Sequence, residues 1–152
     1  MDIKAILKMC DHTLLRVDCT SKEIKTLCDQ AIKHECASVC IPPCHVAGAK
    51  RYVGDKLRIC TVIGFPNGYM TTAAKAFETA DAVKNGADEI DMVINLSMVK
   101  DGCWDDVLAD IKAVRQACRS AATAPTFHGH SGPCRARSDS PSHRSAGAPC
   151  RG

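Results

Sequence analysis

The residues that could do chemistry crowd into one stretch, Gly86-Ala87-Asp88-Glu89-Ile90-Asp91-Met92-Val93-Ile94-Asn95. Read at the two-residue period of a strand, Asp88, Ile90, Met92 and Ile94 share one face, and Glu89, Asp91, Val93 and Asn95 share the other. The first face is mostly apolar and can pack under helices. The second carries carboxylates and an amide toward an interior. Asp91 lies between Ile90 and Met92, neighbours that exclude water. Desolvation disfavours a charged carboxylate and raises its pKa, so such a group can pass protons near neutral pH. A carboxylate neutralised by a nearby lysine or backbone amide is the alternative reading of the same pattern.

The elements that must position this stretch alternate along the chain. A short amphipathic helix over 2–9 precedes a strand at Asp11-His12-Thr13-Leu14-Leu15. Thr20 or Ser21 caps a helix in which Ile24, Leu27, Cys28, Ala31 and Ile32 recur at helical spacing. Ala37-Ser38-Val39-Cys40-Ile41 reads as a buried strand stopped by Pro42-Pro43. A helix from Cys44 to Val53 and a strand from Arg58 to Phe65 follow, the latter ending in the turn Pro66-Asn67-Gly68. Thr71 or Thr72 caps a helix with Ala74, Phe77, Ala80, Ala82 and Val83 on its apolar side, closed by Asn85-Gly86. After the carboxylate strand, residues 103 to 118 form a helix with Val107, Leu108, Ile111, Val114 and Ala117 along one side. Strand and helix alternate four times, which predicts parallel strands with right-handed crossovers, in a doubly wound sheet or a (β/α)₈ barrel. No GxGxxG or Walker A pattern follows a strand, which disfavours nucleotide binding and leaves strand ends as the place for chemistry.

With 152 residues, 45% of them hydrophobic and 24% charged, the chain can bury a core for one domain. No run approaches the ~18 apolar residues of a membrane span, and the N-terminal residues lack a signal-peptide core. A cytoplasmic, membrane-free protein is expected. Cys28, Cys40, Cys60 and Cys118 fall inside apolar patterns, where a thiol behaves as a small hydrophobe, so the eleven cysteines read as a reduced protein and not as a disulfide scaffold. Cys36, Cys40, Cys44 and His45 could gather on zinc, but the spacing is CxxxC and Cys40 belongs to a strand, so no metal is expected.

Residues 1–118 carry 15 Lys and Arg against 16 Asp and Glu, whereas residues 119–152 carry five Arg against Asp139. The second segment has no Ile, Leu, Val, Met or Lys, and is built from Ser, Ala, Arg, Pro and Gly. It cannot bury enough apolar surface to offset its ordering entropy, which predicts a disordered tail. A frameshift or misjudged gene end near Cys118 is a further expectation from that abrupt change. Weak, salt-dependent attraction of the arginines for nucleic acid is conceivable, but Phe127 is the segment's sole aromatic for stacking.

Residues 1 to about 118 resemble deoxyribose-phosphate aldolase. The resemblance rests on Asp11-His12-Thr13-Leu14-Leu15, Ala37 to Pro43, Thr61-Val62-Ile63-Gly64-Phe65-Pro66-Asn67-Gly68, and Gly86 to Asn95, in order and at matching separations. It implies a TIM barrel, of which this chain holds about the first four βα units. It implies a class I aldolase, without metal or other cofactor, that joins acetaldehyde to glyceraldehyde 3-phosphate through a lysine Schiff base, giving 2-deoxyribose 5-phosphate. Asp91 is then the acid/base carboxylate, and Asp11 and Cys40 line the same pocket. The resemblance puts the Schiff-base lysine and the lysine that tunes it on strands beyond the helix ending near Cys118. The eleven lysines of this chain all lie before that point, mostly on helices, and none sits inside a strand. A helix-surface lysine keeps a pKa near ~10.4 and is a poor nucleophile at neutral pH. The expectation is therefore an aldolase-type half-barrel with little or no activity, pairing its open edges in a homodimer or aggregating. A non-catalytic fragment and a different lyase on the same scaffold are the competing readings.

Overall fold

A computed structural model describes residues 2–119 and the backbone of residues 126–130. The first helix, α1 (Ile3–Leu7), leads into β1 (Asp11–Thr13). At Thr20 the side chain accepts from the Glu23 amide at 3.3 Å while the Glu23 carboxylate accepts from the Thr20 amide at 2.8 Å. This reciprocal cap satisfies two amides that the first helical turn leaves orphaned. From it α2 (Ser21–Lys33) buries Ile24, Leu27, Cys28 and Ala31. Strand β2 (Ser38–Ile41) turns through a 3₁₀ segment, Pro43–His45, into α3 (Val46–Val53). Strand β3 (Arg58–Ile63) is followed by α4 (Thr72–Lys84), which Thr71 caps through the Ala74 amide. Strand β4 (Glu89–Val93), α5 (Leu96–Lys100), α6 (Trp104–Arg119) and β5 (Thr126–His130) complete the order.

The five strands make one parallel sheet in chain order, β1-β2-β3-β4-β5. A doubly wound sheet reverses direction at a switch point, whereas a barrel adds each strand beside the last. The unbroken order therefore decides between the two architectures that alternation left open: this is an arc of a barrel. One face of the sheet is dry. Val39, Ile41, Ile59, Ile63, Ile90 and Met92 are fully buried against helix residues such as Leu27, Val46, Ala82 and Val114. The other face holds a smaller cluster of Cys40, Cys60 and Val62, with Leu15 against it. Ile90 and Met92 thus face the helices, and Glu89 and Asp91 the inner side, as the period-two reading requires.

Three expectations change. The regular pattern does not stop at Cys118: β5 pairs with β4, with Glu89 opposite Thr126 and Val93 opposite His130. Composition failed as a guide there because a parallel ladder is made by backbone amides and carbonyls, which β4 offers whatever its partner's side chains. The rest of the expected tail, 120–125 and 131–152, lies outside the described residues. Second, α5 was not anticipated. It is five residues long, and its cap is Asn95, whose side chain accepts from the amides of Ser97 and Met98.

Third, α4 buries only part of the side expected: Ala82 and Val83 lie in the core, but Ala74, Phe77 and Ala80 are exposed. Phe77 is 77% exposed, while Lys75 and Thr79 are fully buried. Lys75 reaches Asp110 of α6, Nζ to Oδ2 2.6 Å, and both side chains are out of solvent. Asp110 replaces an apolar residue on the buried side of α6, whose Leu108 is 47% exposed. The apolar-stripe rule fails because two opposite charges can be buried together, their mutual attraction offsetting part of the cost of leaving water. Asp110 Oδ1 has no hydrogen-bond partner, so the pair has no reserve.

Lys75→Met is therefore expected to cost about 3–5 kcal/mol in urea unfolding, by stranding a buried carboxylate, and Lys75→Met with Asp110→Leu to recover most of that loss. The cap makes a pH prediction. Its hydrogen bonds to Thr20, with Arg16 beside it, hold Glu23 down at about 2 from an ordinary 4.5. A lowered folded-state pKa stabilises the fold above the unfolded value and loses that contribution as pH falls through the folded one. Glu23→Gln should flatten the acid dependence of stability between about pH 4.5 and 2, followed by circular dichroism.

Candidate active site

The inner face is built in layers because parallel neighbours bring side chains of like parity together. In the first layer Asp11 lies opposite Ser38, and Ser38 opposite Arg58. Ser38 Oγ donates to Asp11 Oδ1 at 2.6 Å, which orients that carboxylate. Arg58 Nη1 pairs with Glu89 Oε1 at 3.2 Å. In the next layer Thr13 is opposite Cys40 and Cys40 opposite Cys60. Asp91 enters from β4, opposite Val62.

A cavity of about 630 Å³ opens on this face, lined by residues that include Asp11, Cys40, Val62, Phe65, Asp91 and Val93. The three residues singled out in the sequence, Asp11 on β1, Cys40 on β2 and Asp91 on β4, thus line one space. Cys40 is buried, whereas Asp91 is half-buried, less dry than its neighbours Ile90 and Met92 implied. Those two point away into the helix layer, so the flanking residues of a strand do not desolvate the side chain between them.

The other carboxylates of the stretch are neutralised in the way the alternative reading describes. Asp88 accepts from Lys50 Nζ at 3.1 Å through both oxygens, and from the Ile59 amide at 2.9 Å. Glu89 has Arg58. Asp91 is the carboxylate of the stretch that borders the cavity.

The rim is set by the turn after β3. The Gly64 amide donates to Glu78 Oε2 at 2.9 Å, and the Gly68 amide to the Gly64 carbonyl at 2.8 Å. Gly68 has φ +72°, and a Cβ there would stand 2.1 Å from the Ile94 carbonyl oxygen. Only glycine lets this turn close on the end of β4, holding Phe65 and Pro66 over the cavity.

Cys60 is the residue that sequence reasoning passed over as a core thiol. Its parity on β3 matches that of Val62, but both faces of β3 are apolar, so the pattern could not assign it to the inner side. The hydrogen bond with Cys40, then burial, push the Cys60 thiol far above its ordinary range. The zinc group weighed at Cys36, Cys40, Cys44 and His45 does not assemble among the described residues. Cys40 turns to the inner face, while His45 Nε2 is bonded to the Cys19 carbonyl oxygen at 3.2 Å. Cys28, Cys40, Cys60 and Cys118 are free thiols inside the fold; Cys103, against the all-reduced expectation, is disulfide-bonded.

No lysine lines the cavity. Lys75, the fully buried one, lies on the helix side of the sheet, paired with Asp110.

A family model described as DeoC/LacD family aldolase matches residues 5–126. Curated deoxyribose-phosphate aldolases of Streptococcus pyogenes and Streptococcus agalactiae are 58% identical over 119 residues, 78% of this chain and 53% of theirs. The chain spans about half the length of these relatives. Its fold is similar to a crystal structure described as a putative deoxyribose-phosphate aldolase from Coccidioides immitis, with TM-score 0.79, 33% identity, and coverage of 85% of this chain and 50% of that one. It is similar also to QR15, an aldolase, with TM-score 0.75, 30% identity, and coverage of 82% and 54%. The sheet is an arc of the TIM barrel that these aldolases share.

Gly68→Ala is expected to destabilise the chain by more than ~1 kcal/mol in denaturant unfolding, since both the positive φ and the Ile94 carbonyl oppose a side chain. Gly48→Ala, with open space around the added carbon, is the contrasting control.

Proposed function

Because the chain belongs to the DeoC/LacD family of aldolases, we propose that its inner-face cavity is part of an aldolase active site for 2-deoxyribose 5-phosphate. Asp91 is the carboxylate that gives and takes the proton, and Asp11 and Cys40 line the pocket. The observation that carries this reading is the convergence of those three side chains on one cavity.

In the reaction a neutral lysine amine attacks the sugar-phosphate aldehyde and loses water to form an imine. Cleavage of the carbon–carbon bond releases glyceraldehyde 3-phosphate and leaves an enamine. The enamine carbon takes a proton, and water returns acetaldehyde and the free amine. Asp91, acting directly or through a water, supplies that proton and removes it in the condensation direction. Its half-buried position fits the task, because the group must be reached by substrate and still keep a low-dielectric neighbourhood.

The nucleophile is what this chain does not bring to the cavity. Lys75 is engaged with Asp110, and Lys50 with Asp88. The 152-residue chain by itself accordingly has little or no aldolase activity. It works in the cytoplasm, in keeping with helices too short or too polar to cross a membrane among the described residues. Residues 1 to about 118 are the aldolase-type unit. Its strands β1 and β5 each have one ladder partner among the described residues, which favours pairing of two copies; size-exclusion chromatography with light scattering should give a dimer mass.

Borohydride reduction in the presence of 2-deoxyribose 5-phosphate, followed by peptide mass spectrometry, is expected to trap no lysine adduct on the chain alone. An adduct accompanied by turnover would overturn the inactivity. A fusion of residues 1–118 to the remaining C-terminal part of a streptococcal relative should regain cleavage, and Asp91→Asn in that fusion should lower kcat by roughly 10²-fold or more. Full activity of the Asn variant would remove Asp91 from its role.

A further inference from the structure

Cys40 lines the cavity, and beside it on the next strand stands a second thiol, Cys60, to which the proposed reaction gives no task. Cys40 and Cys60 are register partners on β2 and β3, exposed to only 4% and 1%. Their Sγ atoms and a carboxylate oxygen of Asp91 all lie within 4.8 Å of one another. Among the described residues this is the one cluster of three His, Cys, Asp or Glu side chains close enough to share an ion. Its donors come from three adjacent strands, so the backbone ladder, and not a loop, holds their spacing.

We propose that Cys40, Cys60 and Asp91 form a binding site for a thiophilic divalent cation of the Zn²⁺ and Cd²⁺ class. The donor set selects the class. Two sulfurs and a carboxylate are too few and too soft for Mg²⁺ or Ca²⁺, which take six or more oxygens, whereas sulfur ligands favour zinc-like ions. Zinc–sulfur bonds of about 2.3 Å in a tetrahedron place sulfurs roughly 3.8 Å apart, so small side-chain rotations close the site. Cys40 and Asp91 both border the cavity, from which water can supply the fourth ligand.

Charge favours the exchange as well. Without the ion, two neutral thiols and one carboxylate carry a single negative charge. With it, both thiol protons leave for solvent and one dication enters. Two thiolates, one carboxylate and the dication again sum to a single negative charge, so loading buries no additional net charge. Coordination engages the carboxylate that the proposed proton transfer would use, so ion and substrate compete. Only that last consequence rests on the aldolase reading; the site itself does not.

Cobalt(II) titrated into the reduced 152-residue chain is the probe. One equivalent is expected to give the visible bands of a tetrahedral thiolate site, displaced by Zn²⁺ and lost in Cys60→Ala and Cys40→Ala. Asp91→Asn should weaken affinity roughly ten-fold or more. Cys44→Ala, an exposed thiol outside the cluster, should leave the bands unchanged. X-ray absorption on the zinc-loaded wild-type chain should count two sulfur and two oxygen ligands, a readout that no unfolded variant can confuse. Absent bands, bands that survive in Cys60→Ala or vanish in Cys44→Ala, or a four-sulfur shell would overturn the site. If the site holds while the fusion enzyme proves inactive, the aldolase reading fails and the metal site does not.

Discussion

The separation of the sheet into a dry face and a wet face is the constraint on which the rest of this structure depends. Helices α2, α3, α4 and α6 cover one side, so Val39, Ile41, Ile59, Ile63, Ile90 and Met92 must be apolar there. The opposite side is then the only place on a strand for groups that need water or a ligand. A slip of one residue in β4 would drive Asp91 into the helix layer and Met92 into the cavity, which ties the register tightly to the hydrophobic pattern. The position of the carboxylate is thus a by-product of burying its neighbours.

Charge placement follows from the same separation. Two carboxylates that approach the dry side, Asp88 and Asp110, are each neutralised by a lysine from a neighbouring helix. Asp88, at the head of β4, takes Lys50 of α3 and an amide of β3. Asp110 of α6 takes Lys75 of α4. These pairs lock elements to one another and engage Lys50 and Lys75. On the inner side Ser38 fixes Asp11, and Arg58 meets Glu89 at the first layer. Asp91, one layer further on, lies beside Cys40 and Cys60 and borders the cavity. Carboxylates of one stretch thus meet different surroundings, set by the strand face each one occupies.

Much of this was legible before the fold was known. Strands β1 to β4 and helices α2, α3, α4 and α6 follow from periodicity and from caps such as Thr20 and Thr71, because those signals are local. The split of Asp88, Ile90 and Met92 from Glu89 and Asp91 follows from the two-residue period alone. Phe77 and Lys75 show the limit of such reasoning. Helical spacing identifies an apolar stripe but not which stripe meets the sheet, and a buried cation becomes acceptable only through a partner 35 residues away. Strand β5 lacks an apolar signature, and its pairing is supplied by the free backbone edge of β4.

The sequence by itself determined the alternation of strands and helices, the inward parity of Asp91 and the resemblance to an aldolase family. These depend on intervals of two to four residues, which a chain carries with it wherever it folds. Only the tertiary structure decided that the strands add in order around an arc, and that Cys60 stands beside Cys40 and Asp91. It alone decided that Lys75 is spent on Asp110. Those outcomes depend on which distant segments become neighbours, and contact between residues far apart in sequence exists only once the sheet has closed its register.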